Sequence, residues 1–534
     1  MPRLTSRHSL SAAALLMAAS IFLSRLMGLA RDKVISWQFG AGADTDVYFA
    51  AFVVPDFINY LLAGGYISMT LIPLLTARFR ENEDDGWNFF SAALTWNTAL
   101  ACALCVLGWV FAPELARLTA PGFSAGQLTR LAFYLRIVLP GQIFFLAGAC
   151  LTALLYIRTM FAVPALTPLI YNGCIIVGGL VWPYLAGQEA AGGMTGYAAG
   201  VTVGAACGAF AMPLYAAWTG GLRLRLRFGH PLLRRYILLA LPLMLGQSIV
   251  VLDEQLIRVF GSLAGEGTLS LLTYARRIML VPVGVVAQAA GVAAFPFLAS
   301  LAANDERTAF HATLGDALKR GLFAVLPLTA WMIAAAQPIL GLIFEGGRFD
   351  VEDTAHGAPL LQLFLCGVPF WLVQQVIGRA FYAWQDTLTP AVIGTLVTLA
   401  VLPIYPCLAR TWHGPGVAGL SAASIILYAL ILCLWWRRRF GPDAFAGLVR
   451  PALVCAGLAA AAGLAARLAM VFTAGRPLPD LLHGLPETPA GLIVHLFGLG
   501  VSALVFGLVY LASARLFLPD ALRLHGSQPD STAA

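Results

Sequence analysis

The chain has 534 residues, of which 60% are hydrophobic and 11% charged, with a mean hydropathy of +0.81. That balance excludes an ordinary soluble globular protein and points to an all-α polytopic membrane protein. The formal net charge of +7 does not mark a nucleic-acid binder, because the basic residues gather in particular loops and form no single basic face.

Crossing a hydrocarbon core of about 30 Å takes roughly 20 apolar residues, and about fourteen runs of that kind are present. The first is centred near Leu16. It follows Arg3 and Arg7, as a signal peptide would, but it runs into SRLMGLARDK with no small-residue cleavage site, so it is read as a span. This span places Arg25 and Arg31 at or near membrane depth, where an arginine persists only if it is paired, snorkelling or facing water. Arg25 and Asp32 are two helical turns apart and share a face, and Gly28 between them leaves that face open. Two readings stand for Arg25: an internal pair with Asp46 or Asp56, or a ligand cation. Arg31, Asp32 and Lys33 are either interfacial anchors or part of the same site.

The second span, near Phe57, carries Asp46, Asp56 and Asn59 together with Pro55, Gly64 and Gly65. A helix so interrupted suits a hinge or an access path, since freed backbone groups there can bond to water or substrate. Further centres fall near Leu100, Phe144, Ile175, Ala206, Ile249, Val286, Leu326, Val373, Leu399, Leu427, Ala460 and Val501. In the seventh span Glu254 and Arg258 are spaced to pair along the helix, and Asp253 is a candidate coupling group. The eighth carries Arg276 and Arg277, read either as cavity cations or as anchors paired with Asp253 and Glu254. Pro282 and Gly284 follow as a second hinge.

The loops richest in arginine, LRLRLRFGHPLLRRY and WWRRRFG, and the stretch with Arg307, Lys319 and Arg320 all follow even-numbered spans. The positive-inside rule puts them and both termini in the cytoplasm, with LAGQEAAGG and GSLAGEG outside. The nine cysteines sit in or beside apolar runs and imply no disulfide framework. Cys102-x-x-Cys105 lacks a second ligand pair and reads as lipid-phase packing, so no metal site is expected. There is no Walker A loop and no catalytic constellation.

Landmarks recur at an offset of about 220 to 229 residues. Gly40 pairs with Gly261, Pro73 with Pro296, Pro113 and Gly122 with Pro338 and Gly347, Pro140 with Pro369, Tyr156 with Tyr382, Pro164 with Pro390, and Gly196 with Gly416. Two six-span units account for them, residues 1–222 and 223–440, with the last two spans and a C-terminal tail in 441–534. Six spans return the chain to its starting side, so the repeat is parallel and the substrate is expected between the lobes.

The stretch SRLMGLARDKVISWQFGAGADTDVYFAAFVVPDF, with LTAPGF at 118–123, YARR from Tyr274, IFEGGRFDVEDT at 343–354 and FYAWQDTLTP at 381–390, resembles the MurJ/MviN lipid II flippase family of the multidrug/oligosaccharidyl-lipid/polysaccharide exporter superfamily. The resemblance implies fourteen helices in two lobes around a cationic cavity, with a lipid-facing groove bordered by the last two. It implies lipid II, an undecaprenyl-diphosphate-linked peptidoglycan precursor, as substrate in the bacterial inner membrane, and transport roles for Arg25, Arg31 and Arg277. Protein partners, where present, would belong to cell-wall synthesis. Asn59 stands where the family commonly has a base, and Arg276 stands where an acid is common. The eleventh span, AVIGTLVTLAVLPIYP, lacks the Asn/Asp pair of sodium-binding members, so no sodium site is carried over.

A diphosphate is a compact polyanion that suits the planar guanidinium fork. The expected clamp is therefore Arg25, Arg31, Arg276 and Arg277, with Asn59 beside it, working by alternating access. Membrane potential or an ion gradient would drive the cycle without a cofactor. The alternatives are a flippase for another polyprenyl-diphosphate oligosaccharide, an ion-coupled drug exporter and a non-transporting cell-wall scaffold.

Overall fold

The computed structural model describes residues 10–62, 66–190, 193–246, 248–441, 443–474 and 487–517. The expected hinge residues Gly64 and Gly65, Arg3 and Arg7 before the first span, and the C-terminal tail lie outside them. Among the described residues every regular element is helical, and β pairing is one bridge between Gly346 and Phe349.

Every expected span centre falls inside a helix, but the segments are less uniform than the hydropathy pattern suggests. By length and composition the described residues hold 10 spans, or 11 if the bent pair Leu388–Val401 and Tyr405–Thr411, at 44°, is counted. The remaining three expected spans carry the charges. The first is the 30-residue helix Leu10–Phe39. The second is broken between Ala43–Ala50 and Val53–Leu62 and is described again as the helix Tyr66–Glu81, while the seventh is described as the helices Pro231–Gly246 and Ser248–Gly261. One cause of the first break is Pro55, which has no N–H to offer the carbonyl of Ala51 four residues back.

Two compact units are formed, Met1–Ser270 and Leu271–Ala534. The seventh span packs within the first unit, although the sequence repeat begins a new copy at residue 223. Trp96 Nε1 donates to the carbonyl of Phe228 at 2.6 Å, Asn97 Nδ2 to the Tyr236 hydroxyl at 3.1 Å, and the Gly122 amide to Ser262 Oγ at 3.3 Å. These bonds bring the basic loop and the seventh span onto the first six.

Lipid supplies no hydrophobic drive between helices, so close packing of small residues and hydrogen bonds must supply the association. The fifth and sixth spans cross at glycines. A Cβ on Gly200 would lie 2.6 Å from the Cys174 carbonyl oxygen, and one on Gly178 would lie 2.6 Å from that of Gly196. In the second unit Ala334, Ala462, Ala466 and Phe506 form a core joining the ninth span to the last two helices. Trp331 Nε1 adds a 3.3 Å bond to Ser502 Oγ.

The repeat reappears in local geometry. Ser124 and Asp350 each begin a helix with a capping box, closed by Gln127 and Asp353. The fourth and tenth spans end in the same way, with Thr159 at φ 60° and Gln385 at φ 59°, each three residues after a paired tyrosine. In both turns the next amide reaches back five residues, Met160 to Leu155 and Asp386 to Phe381, which satisfies the terminal carbonyls. Burial repeats as well: 61% of the apolar window is buried in both the fourth and tenth spans, and 50% in both the sixth and twelfth. The fourteenth, at 11%, is peripheral.

Asp386 connects the tenth span to the eleventh. Its carboxylate accepts from the Thr389 amide at 2.9 Å and hydroxyl at 2.8 Å, and from Arg439. Burial pushes this carboxyl up, but those donors outweigh it and hold it below the usual carboxylate range. Its contribution to stability is therefore complete above the unfolded value of about 3.9 and is lost as pH falls through the lower folded value. Asp386→Asn should cost about 1 kcal/mol at neutral pH. The gap in thermal midpoint to the parent should persist into mild acid and close only below that range. Separately, Gly200→Val should lower the midpoint by about 1–3 kcal/mol equivalent through overpacking. Gly28→Ala, where nothing lies within 4 Å, should leave it unchanged.

Candidate anion-binding site

The first helix turns polar as it leaves its apolar half. Arg25 is exposed, and the space beside Gly28, just under one turn further on, is open. Two turns after Arg25, Asp32 is almost fully buried, with 1% of its side chain exposed. Arg31 donates to Asp32 Oδ1 from Nε at 3.0 Å and from Nη2 at 2.8 Å. Its Nη1 donates to Asn172 Oδ1 at 3.1 Å, and Asn172 is itself oriented by a 2.9 Å bond from Nδ2 to the Pro168 carbonyl. Arg31 is thus locked from two sides, by its neighbour and by the fifth span, while Arg25 stands on the exposed part of the helix. A buried carboxylate and an amide fix one cation, and a second cation faces the open side.

The aspartates of the second span have separate tasks. Asp46 caps the start of the helix Thr268–Pro282: its Oδ2 accepts from the Gly267 amide at 2.6 Å, and its Oδ1 from the Ser270 amide at 2.7 Å and hydroxyl at 2.5 Å. Carboxylate at a helix N-terminus is favourable because unsatisfied amides and the positive end of the dipole meet there. Asp56 accepts from Arg258 Nη1 at 2.5 Å. The same guanidinium reaches Glu254 at 2.6 Å, completing the pair expected from the spacing of four. Asn59, one turn beyond Asp56, and Asp253 are half-buried.

In the second unit Arg276 is buried, at 5% exposure, and Arg277 is half-buried on the same helix. Pro282 ends the α-helical part and Gly284 lies in a π-helical stretch, Val283–Gln288, before the α-helix resumes at Ala289. The expected hinge therefore coincides with a change of helix type, the usual mark of a local distortion. Pro55 is buried in the helix Val53–Leu62.

Sequence reasoning missed three polar residues and one link. Asn172 is an amide within an apolar run, which is its only signal. Arg379, an arginine within the tenth span, lies against Gly291, where a Cβ would meet its Nε at 3.0 Å. Glu345 of the IFEGGRF stretch is bonded by His495 Nε2 at 3.0 Å and by the Thr354 hydroxyl at 2.9 Å. The link from Arg258 to Asp56 crosses two spans, so spacing could not reveal it. Among the described residues no three His, Cys, Asp or Glu side chains converge to hold a metal ion. Cys105 is spent on the Leu139 carbonyl, at 3.1 Å.

A sequence model of the family described as "Lipid II flippase MurJ" matches residues 35–476. The chain is 26% identical over 487 residues to a protein of Bdellovibrio bacteriovorus named "Probable lipid II flippase MurJ", covering 89% of this chain and 91% of that one. It is 26% identical over 426 residues to the "Lipid II flippase MurJ" of Thermosipho africanus, covering 78% and 84%. Among solved structures, one titled "Lipid II flippase MurJ, inward closed conformation" superposes with a TM-score of 0.76 at 22% identity, over 95% of this chain and 100% of that one. An inward-facing multidrug resistance MATE family transporter of the MOP superfamily follows at 0.65 and 16% identity, over 82% and 99%. Both likenesses concern the fold.

Arg258, with 7% of its side chain exposed, neutralises two carboxylates. Arg258→Ala should destabilise the purified protein by about 3–5 kcal/mol, because it leaves both acids without their cation. Adding Asp56→Asn to that variant should recover part of the loss. An unchanged thermal midpoint in Arg258→Ala would mean that the acids are solvated.

Proposed function

The chain belongs to the lipid II flippase MurJ family, and from that premise we infer that it moves lipid II from the cytoplasmic to the outer leaflet of the bacterial inner membrane, with both termini cytoplasmic. The observation that carries this reading is the first helix. Arg31 is held rigid by Asp32 and Asn172, and exposed Arg25 borders the open face at Gly28. Prearranged guanidinium groups can replace the water shell of a diphosphate with bidentate, charge-assisted bonds.

The phosphate-binding cations are Arg25 and Arg31 in one unit and Arg276 and Arg277 in the other. Each group is exposed in turn to the two faces of the membrane, with the π-helical stretch after Pro282 and the break before Pro55 as flexing points. Like charges oppose closure until the diphosphate neutralises them. An inside-negative potential favours outward movement of an anion by about 2.3 kcal/mol per charge per 100 mV, so the cycle needs no nucleotide. The aspartates of the second span do not serve the clamp: Asp46 caps a helix and Asp56 balances Arg258. This role as a carrier, with no covalent chemistry, agrees with the family's description as flippases.

A second reading, a carrier of another polyprenyl-diphosphate oligosaccharide, is favoured by Asn59, an amide where the resembling family commonly has a base. Expression in a strain depleted of its own lipid II flippase separates the two. Rescue of growth and of lipid II exposure is expected for the parent chain, and failure despite good membrane expression would favour the second reading. Arg25→Ala and Arg277→Ala should abolish rescue while inserting normally. Parent-level rescue by either variant would remove that arginine from the clamp.

A further inference from the structure

The second unit contains a cavity of ≈ 900 Å³ that the transport reading does not use. Its walls come from the ninth, tenth, twelfth and thirteenth spans and from the linker 443–449, with Leu322, Leu326, Ile333, Phe370, Leu430 and Leu453 supplying much of the lining. The helix Glu487–Phe517 contributes nothing to it, so it is distinct from a groove bordered by the last two helices. From Leu318 to Ile333 it extends about 22 Å along the ninth span. That is longer than one leaflet's half of a hydrocarbon core of about 30 Å.

The two charged side chains that reach this cavity, Arg437 and Asp443, both stand where the twelfth span passes into the linker. Both are exposed, and among the described residues neither forms an ion pair. The same end carries Arg437, Arg438 and Arg439 in the last turn of the helix His413–Phe440, next to Trp435, which is 47% exposed. Aromatic belts mark the headgroup level of a bilayer. The cavity therefore has an apolar depth and, where the twelfth span passes into the linker, one cation and one anion in its lining.

We propose that this cavity is a binding site for one two-chain phospholipid of the cytoplasmic leaflet whose headgroup joins a phosphate to a primary ammonium. Arg437 holds the phosphate, Asp443 accepts from the ammonium, and the acyl chains fill the slot. Protein interiors carry few voids larger than a water molecule, and pockets of 300–1,000 Å³ are the usual size for small ligands. A purely anionic headgroup would meet the Asp443 carboxylate. A quaternary ammonium would satisfy its charge but has no N–H to donate. An undecaprenyl diphosphate would bring two phosphates against the same carboxylate. The site does not depend on the transported substrate.

Native mass spectrometry of the full-length protein, offered dioleoyl phosphatidylethanolamine, phosphatidylglycerol or phosphatidylcholine, tests the site without a transport assay. The ethanolamine lipid should be retained at least about tenfold better than either of the others, equivalent to about 1.4 kcal/mol. Arg437→Gln should weaken its retention. Asp443→Asn should raise the glycerol lipid to the same level. Ala452→Trp, which fills the slot, should exclude the lipid while helical content by circular dichroism stays unchanged. Headgroup-independent retention by the parent protein, an unaltered preference in Asp443→Asn, or displacement of the ethanolamine lipid by undecaprenyl diphosphate would each overturn the proposal. The phosphate clamp in the first helix would stand in any of these cases.

Discussion

A charge in hydrocarbon costs from about 2.5 kcal/mol upward unless it is paired, hydrated or able to reach the interface. That cost organises the polar residues of this chain. Asp32 is buried because Arg31 and, through it, Asn172 complete its surroundings. Asp46 is buried because helix-start amides and a hydroxyl occupy both of its oxygens. Arg258 is buried because two carboxylates share its guanidinium. Arg25 stands on the exposed part of the first helix, beside the open face at Gly28.

The same cost bears on the second span, where charge and irregular backbone meet. An ideal apolar helix satisfies its own backbone and needs only packing. The second segment carries Asp46 and Asp56, and it is broken between Ala50 and Val53. Breaks free backbone groups, and those groups need polar partners or water. In the second segment irregular backbone and charge occur together, whereas the first helix carries Arg31 and buried Asp32 without a break. The fourth and tenth spans, Ala125–Ile157 and Val351–Ala383, are the most deeply packed of the described spans in their units.

Evidence of duplication is stronger in the local geometry than in the residues themselves. Ser124 and Asp350 differ, yet both close a capping box at equivalent positions. Thr159 and Gln385 differ, yet both adopt a left-handed conformation at the end of equivalent spans. Such positions require a hydrogen-bonding pattern rather than a particular side chain, so the pattern survives while identity drifts. Packing does not follow the duplication boundary, because the seventh span is bonded to the first six through Trp96, Asn97 and Gly122.

From the sequence alone the helical membrane class and the segments that become helices were legible. Each depends on periodicity, composition or a local spacing, which a linear chain displays directly. The pairing of Glu254 with Arg258 was legible for the same reason. Tertiary structure alone decided that Asp56 shares that arginine, that Asn172 holds Arg31 and that Asp46 caps a helix more than 200 residues away. It also placed Arg437 and Asp443 at the end of one apolar slot. These partners meet because helices cross, and in a low dielectric the crossing determines which charges neutralise one another.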